Sequence, residues 1–233
     1  EHFEHLIKFL TVIKASLLTL KLGKCDFGKS QVKFVGHLIG SGKKLQDPDK
    51  IESIRQLDAP TSRQQLKRVI GTMNYYRSFV PYYAEIAKPL TDLTAGKTQN
   101  TFSWGEREQF AFDTLKQKLC IATELQVPRI GELFIVRTDA SGVAVAGALS
   151  QKNDDSTEVD EKGVGEHPIA FCSQKLDKTQ QAWSTIEREA YAVIFALKRW
   201  NHIIFGAPIV IFSDHNPLTF IVDSATKSSK LTR

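Results

Sequence analysis

The sequence predicts an α/β protein, α+β overall: small helices with one β-hairpin come first, and a mixed sheet with helices follows. Three observations carry this. Up to about residue 120, apolar side chains recur mostly at helical spacing, with glycines and prolines between the runs. After Glu132 the pattern changes to strand-like runs at residues 133–138, 143–150 and 169–173. An amphipathic stretch at about 184–201 then separates these from a fourth run at 208–212. Strands joined through a helix pair in parallel, so the sheet should be mixed.

Each element follows from its residues. Phe3, Leu6, Ile7, Leu10, Ile13 and Leu17 predict a helix over 2–20 that stops at Gly23. Apolar residues 32–34, 36–39 and Leu45, around Gly40-Ser41-Gly42, predict a hairpin. Asp47-Pro48-Asp49 opens a helix to about Gln56, with the proline where a missing N–H costs little. Thr61 with Gln64 resembles a capping box ahead of Leu66, Val69, Ile70 and Met73. Pro81 and Pro89 bracket a short helix, and Ser103 with Glu106 suggests another box before Phe110, Leu115 and Leu119. In 143–147 the small residues suit close packing, 152–166 reads as a polar loop, and a last helix should start at Pro217. The domain boundary should fall near 125–131.

Composition bounds the function. The 233 residues are 42% hydrophobic and 24% charged, as in ordinary globular proteins. No apolar run is long enough for a membrane span. The start, EHFEHLIKFL, lacks the basic region of a signal peptide and does not begin with Met, so the chain reads as an excised piece. Cys25, Cys120 and Cys172 are odd in number and widely spaced, which argues for reduced thiols in an intracellular protein, in cytoplasm or nucleus. The net charge of +5 is uneven: residues 1–130 hold 20 Lys and Arg against 13 Asp and Glu, and residues 131–233 hold 11 against 13. A basic first part suits a polyanion, and an acidic second part suits cations.

Three carboxylates stand where a two-metal nuclease needs them. Asp139 follows the apolar run 133–136, Asp214 follows the run 209–212, and an acid lies on the helix STIEREAYAVIFALKRW. Strand-end aspartates and a helix glutamate converge if the strands are neighbours. Hard ions such as Mg²⁺ need few protein carboxylates, because phosphate and water complete the shell. Two ions roughly 3.5–4 Å apart can clamp both reacting oxygens of a phosphodiester. Spacing leaves Glu187 and Glu189 as alternatives, since each borders the stripe of Ile186, Ala190, Val193, Ile194 and Leu197. The acids between 154 and 161 lack the glycine of a calcium loop and read as a solvated tip. Tyr75, Tyr76 and Arg77 join aromatics to a cation, a mixture that stacks on bases and grips phosphates. The bland alternative makes the tyrosines the edge of a core. His215 could contact substrate or be structural.

Together these motifs resemble part of the Pol polyprotein of gypsy-type LTR retrotransposons and related retroviral elements. The resemblance rests on LTLKLGKCDF, VKFVGHLI, DPDKIESI, GTMNYYRSFVPYYAEIAKPLTDL, FSWGEREQFAFDTLK, VRTDASGVAVAGALSQ, HPIAFCSQKL, STIEREAYAVIFALKRW and FSDHNPLTFI, in the family's order. It implies the end of a reverse transcriptase palm, a thumb and a connection over 1–128, and an RNase H-like domain over 129–233. It implies that Asp139, Glu189 and Asp214 hold the metals, Mg²⁺ or Mn²⁺, which favours Glu189 over Glu187. It implies that Tyr75, Tyr76 and Arg77 lie near template–primer. The implied reaction is metal-dependent hydrolysis of RNA in RNA–DNA hybrids, with the rest of the polyprotein as partner and no membrane. Two departures qualify this. The polymerase's paired-Asp motif is absent, and the chain stops before the family's fourth metal-binding Asp, so the domain is C-terminally truncated and cleavage should be weak. The alternative is an inactive nucleic-acid-binding or structural remnant.

Overall fold

The computed structural model describes residues 2–95, 102–122, 124–152, 163 and 165–213. They fall into two compact units, Glu1–Val32 and Lys33–Arg233. Asp214, His215, the acidic stretch 154–161 and the helix expected from Pro217 lie outside the described residues.

In the first unit, α1 (His2–Ala15) ends earlier than the apolar spacing predicts. Leu17 adopts a left-handed φ of 55°, and the Leu18 N–H donates back to the Ile13 carbonyl. Such a bond closes a helix whichever residue takes the left-handed turn. The expected stop at Gly23 instead lies in a short 3₁₀ turn, Leu22–Lys24.

The second unit begins with strands and small helices. After β1 (Gln31–Phe34), β2 (His37–Gly40) and β3 (Lys43–Gln46) form the antiparallel hairpin with Gly40 opposite Lys43. α2 (Pro48–Arg55) is capped by Asp47, whose Oδ1 accepts from the Asp49 N–H at 3.1 Å. α3 (Arg63–Asn74) starts one residue later than expected. Ser62, not Thr61, is the cap, and its Oγ accepts from the Gln65 N–H. Gln65 answers by accepting from the Thr61 N–H at 2.8 Å, so the reciprocal pair shifts by one position. α4 (Tyr83–Ile86), α5 (Lys88–Thr94) and α6 (Glu106–Cys120) follow. The second box also shifts: Gly105, rather than Ser103, precedes the helix, and its N–H donates to Glu108. A core gathers Leu66, Met73, Tyr76, Phe79, Leu90, Phe112 and Leu115, all nearly inaccessible. Each such side chain contributes about 1.5–3 kcal/mol by leaving water. A two-residue strand, β4 (Leu125–Gln126), pairs with β3. It was not expected, because two residues carry no period.

The second sheet contains β5 (Phe134–Ala140), β6 (Ala144–Lys152), β7 (Glu166–Lys175) and β8 (Ile209–Ser213) in the order β7-β6-β5-β8. β5–β6 and β6–β7 are antiparallel, and β5–β8 is the parallel pair expected from the intervening helix. Pro168 enters β7 opposite Ser150, beside a register irregularity that removes the need for its N–H. After α7 (Lys178–Gln181), α8 (Thr185–Ile204) crosses one face of the sheet. Ala196, Trp200 and Ile204 pack there on Phe134, Val136, Leu149 and Cys172. Gly147 permits the close approach. A Cβ at this position would meet Cys172, Trp200 and Ala196 at 3.1–3.3 Å.

Candidate active site

Strand alternation decides where Asp139 points. Phe134 and Val136 face α8, so Arg137 and Asp139 face the other way. On that face the sheet meets the helical region. The Ala84 N–H donates to the Ser173 hydroxyl at 2.9 Å, and the Arg77 guanidinium donates to the Ser173 carbonyl. Ser173 pairs across β6 with Ala146, and Ala146 pairs with Asp139.

Between these layers lies a cavity of about 220 Å³ whose lining includes Pro81, Tyr82, Arg137, Asp139, Ala146 and Phe171. Arg137 is engaged by Glu166 through two bonds, Nη2 to Oε1 at 2.6 Å and Nε to Oε2 at 3.3 Å, and the Ser150 hydroxyl donates to Oε2 at 2.6 Å. The Arg137 guanidinium also covers the Phe212 ring at 4.3 Å. Its charge is therefore directed at a carboxylate other than Asp139. Among the described residues the Asp139 carboxylate itself makes no hydrogen bond or ion pair, although the residue is half-buried. Tyr82 holds a left-handed φ of 56° at the cavity wall and leaves 46% of its surface accessible. A bulky residue keeps that conformation only where its surroundings impose it. Sequence reasoning missed Tyr82, Arg137 and Glu166. Pro81 marked a break before a helix but carried no sign of a wall over Asp139.

α8 separates the two candidate glutamates by role. The Glu187 carboxylate accepts from the Ser184 N–H at 2.9 Å and from its hydroxyl at 3.1 Å, and the Ser184 Oγ accepts from the Glu187 N–H. Glu187 thus closes the helix start. Glu189 lies two residues on, in the stripe with Ala192 and Ala196, and is 3% exposed. Next to it, Arg188 donates from Nη1 to the Ser141 carbonyl at 3.0 Å, which ties this turn of α8 to the end of β5. Glu189 approaches from the helix face of the sheet, whereas Asp139 lines the opposite one. The Arg188–Ser141 bond sets the Glu189 turn beside the strand end two residues beyond Asp139. Among the described residues no three His, Cys, Asp or Glu side chains cluster as a metal site, and Asp214 lies outside them.

The aromatic–cation segment divides. Tyr76 is 2% exposed and donates its hydroxyl to the Gly36 carbonyl at 2.6 Å. Tyr75 donates to the Val35 carbonyl but leaves 47% of its surface accessible. Both tyrosines hold the turn between β1 and β2, and only Tyr75 keeps a face for a ligand. No described helix is long and apolar enough to cross a membrane.

Residues 130–233 match the family described as the RNase H-like domain found in reverse transcriptase. The whole chain aligns at 34% identity with the retrovirus-related Pol polyprotein from transposon opus of Drosophila melanogaster, covering 23% of that protein. It aligns throughout at 31% with the Pol polyprotein from transposon 297 of the same fly, covering 21% of it. Over 94% of the chain it is 31% identical to the transposon Tf2-3 polyprotein of Schizosaccharomyces pombe, covering 16% of it. The chain thus spans less than a quarter of the length of these curated relatives. Among solved structures, the foamy viral protease-reverse transcriptase in complex with RNA/DNA hybrid superposes with a TM-score of 0.74 at 23% identity, over 98% of this chain and 31% of that one. The dRH form of that enzyme in complex with double-stranded DNA gives 0.75 at 22% identity, over 95% of this chain and 37% of that one. At such identities the likeness is one of fold.

Proposed function

Because residues 130–233 belong to the RNase H-like domain family found in reverse transcriptase, we propose that this region hydrolyses the RNA strand of RNA–DNA hybrids with the help of divalent cations. The observation that carries the proposal is Asp139. It is a half-buried carboxylate in a cavity, relieved of its arginine neighbour by Glu166. Oxygen donors of this kind fit Mg²⁺ or Mn²⁺. Asp139 and Glu189 would hold the ions together with Asp214. Bound there, the ions would supply an activated water and stabilise the leaving 3′ oxygen.

The chain's own residues do the rest. The Arg188–Ser141 bond keeps the Glu189 turn of α8 against the end of β5. Glu187 stays at the cap and is not available as a ligand. Tyr82 narrows access to Asp139. Selection of a hybrid would rest on backbone shape and 2′-hydroxyl contacts rather than base reading. Tyr75 and Arg77 would contact nucleic acid beside the site, Tyr76 supporting them from the core. The functional boundary would lie at 128/129, with 1–128 as the end of a reverse transcriptase palm, thumb and connection. The remainder of a Pol polyprotein would be the partner, in an intracellular setting that suits three free thiols.

The test is cleavage of a labelled RNA–DNA hybrid in Mg²⁺ and in Mn²⁺. Asp139→Asn and Glu189→Gln should each lower the rate at least about a hundred-fold, the scale for removing transition-state charge stabilisation. Glu187→Gln should leave the rate within about three-fold, because a cap costs stability rather than chemistry. Equal signal in wild type and Asp139→Asn would end the nuclease reading. Salt-sensitive hybrid binding with no cleavage would favour an inactive nucleic-acid-binding module instead.

A further inference from the structure

A second cavity, of about 620 Å³, opens on the other side of Phe171, along the outer edge of β7. It lies within the reach of small-ligand sites, which run to roughly 300–1,000 Å³. Its wall draws on three distant stretches of chain: Lys44 from β3, Arg77 after α3, and Arg199 near the end of α8. Among the described residues no carboxylate lines it. Among the described residues none of these three cations forms an ion pair. Arg77 holds the Ser173 carbonyl and the Tyr83 ring, and Lys44 lies over the Phe79 ring, whereas some other cations of the second unit meet carboxylates, as in Lys43–Glu124 and Arg129–Glu132.

The cations act on the groups that line the cavity with them, Lys44 on His37 and both arginines on Cys172. Burial pushes the Lys44 ammonium below its ordinary value. Burial also lowers His37, and the neighbouring Lys44 charge adds to this. Such gathering of like charge is unfavourable in an empty cavity and favourable around an anion. Arg199 precedes the last turn of α8, where His202 is the basic residue, and Lys44 lies on a strand, so neither complements a helix carbonyl terminus. At the rim the Phe34 ring is 62% exposed, and the Trp200 ring closes the floor. A flat apolar face beside phosphate-binding cations is the chemistry of nucleotide recognition.

We propose that the cavity bounded by Lys44, Arg77 and Arg199 binds a nucleotide, its phosphate on the three cations and its base against Phe34. The cavity is distinct from the Asp139 cavity; Arg77 serves both proposals, whereas Lys44 and Arg199 belong to this one alone and are the residues varied. The nucleotide can be free or the terminal residue of a strand, and the ligand arms of the experiment distinguish the two.

Binding of AMP, of a 5′-phosphorylated single-stranded oligonucleotide and of inorganic phosphate to the full chain is measured by calorimetry at two salt concentrations. We expect saturable one-to-one binding that weakens with salt. Arg199→Glu and Lys44→Gln should each weaken it by roughly ten-fold or more, as loss of a charge-assisted bond does. Lys67→Glu, a matched reversal on the exposed face of α3, should leave it unchanged. AMP that competes with the oligonucleotide identifies a free nucleotide as sufficient, and binding of the oligonucleotide alone identifies a strand end. Inorganic phosphate as tight as AMP would overturn the base contact and with it the nucleotide assignment. No saturable binding of either nucleotide, or equal binding by wild type and Arg199→Glu, would overturn the site. Arg199 is exposed, so its variant remains folded and informative even if Lys44→Gln does not. Hybrid cleavage can fail while this binding persists, and the reverse, so the two proposals fall separately.

Discussion

Gly147 and Cys172 show how single residues set the helix–sheet contact. They are neighbours across β6 and β7, and both lie beneath α8. Gly147→Val would force side-chain atoms into Cys172, Trp200 and Ala196. We expect a loss of about 1–3 kcal/mol, the usual cost of overpacking a close contact, read by urea unfolding. The thiol of Cys172 is pushed up to about 12 by burial, against the opposing pull of Arg199 and Arg77. The thiolate is the reactive form. Cys172 should therefore resist alkylation at pH 8 in the folded chain and react once urea unfolds it. Mass spectrometry of labelled peptides would check this, and rapid native labelling would contradict the burial. The small residues at 143–147 are legible in the sequence as close-packing positions, but their opposing atoms are not.

Element ends were harder to read than elements. The amphipathic stripe of α8 is visible at 3.6-residue spacing, and Glu189 lies within its reach. What separates Glu189 from Glu187 is the cap at Ser184, three residues before Glu187. Ser184→Ala should cost about 1 kcal/mol of stability by leaving the first-turn N–H groups without that acceptor, measured as a shift in denaturation midpoint. The boxes before α3 and α6 both fell one or two residues later than the residue types suggested, with Ser62 and Gly105 in place of Thr61 and Ser103. Thr61 and Ser62 offer the same hydroxyl chemistry, and only the entry direction of the chain chooses between them. β4 is not legible in the sequence, because its two residues become a strand only through Lys44 and Lys43 opposite.

At the scale of the whole second unit, the helical region and the sheet are joined by polar contacts at the β7 edge. Asp92 of α5 bonds Lys175 of β7 and accepts from Lys88 at 2.8 Å. Burial raises the Asp92 carboxyl, but the two lysines outweigh it and leave its value below the ordinary one. The sign follows: this contribution is complete above the unfolded carboxyl's value near 3.8 and is lost as pH falls through the lower folded value. Asp92 is 41% exposed, so screening holds the contribution to about 0.5–1 kcal/mol. Asp92→Asn should lose that much at pH 7, and the gap to wild type should close as the solution is acidified below the ordinary carboxyl range. Chemical denaturation at a series of pH values checks it; a gap independent of pH would mean that packing, not charge, joins the layers.

Periodicity, turn residues and the spacing of carboxylates are local properties, and they determined the helical first part, the hairpin, the mixed sheet and the choice of Asp139 as a strand-end acid. Tertiary structure alone decided what each residue meets. It gave Arg137 to Glu166, roofed Asp139 with Tyr82, withdrew Tyr76 into the core, and brought Lys44, Arg77 and Arg199 around one cavity. Those partners are tens of residues apart along the chain. Side-chain chemistry is written in single positions, whereas an electrostatic environment exists only after folding has set distant charges beside one another.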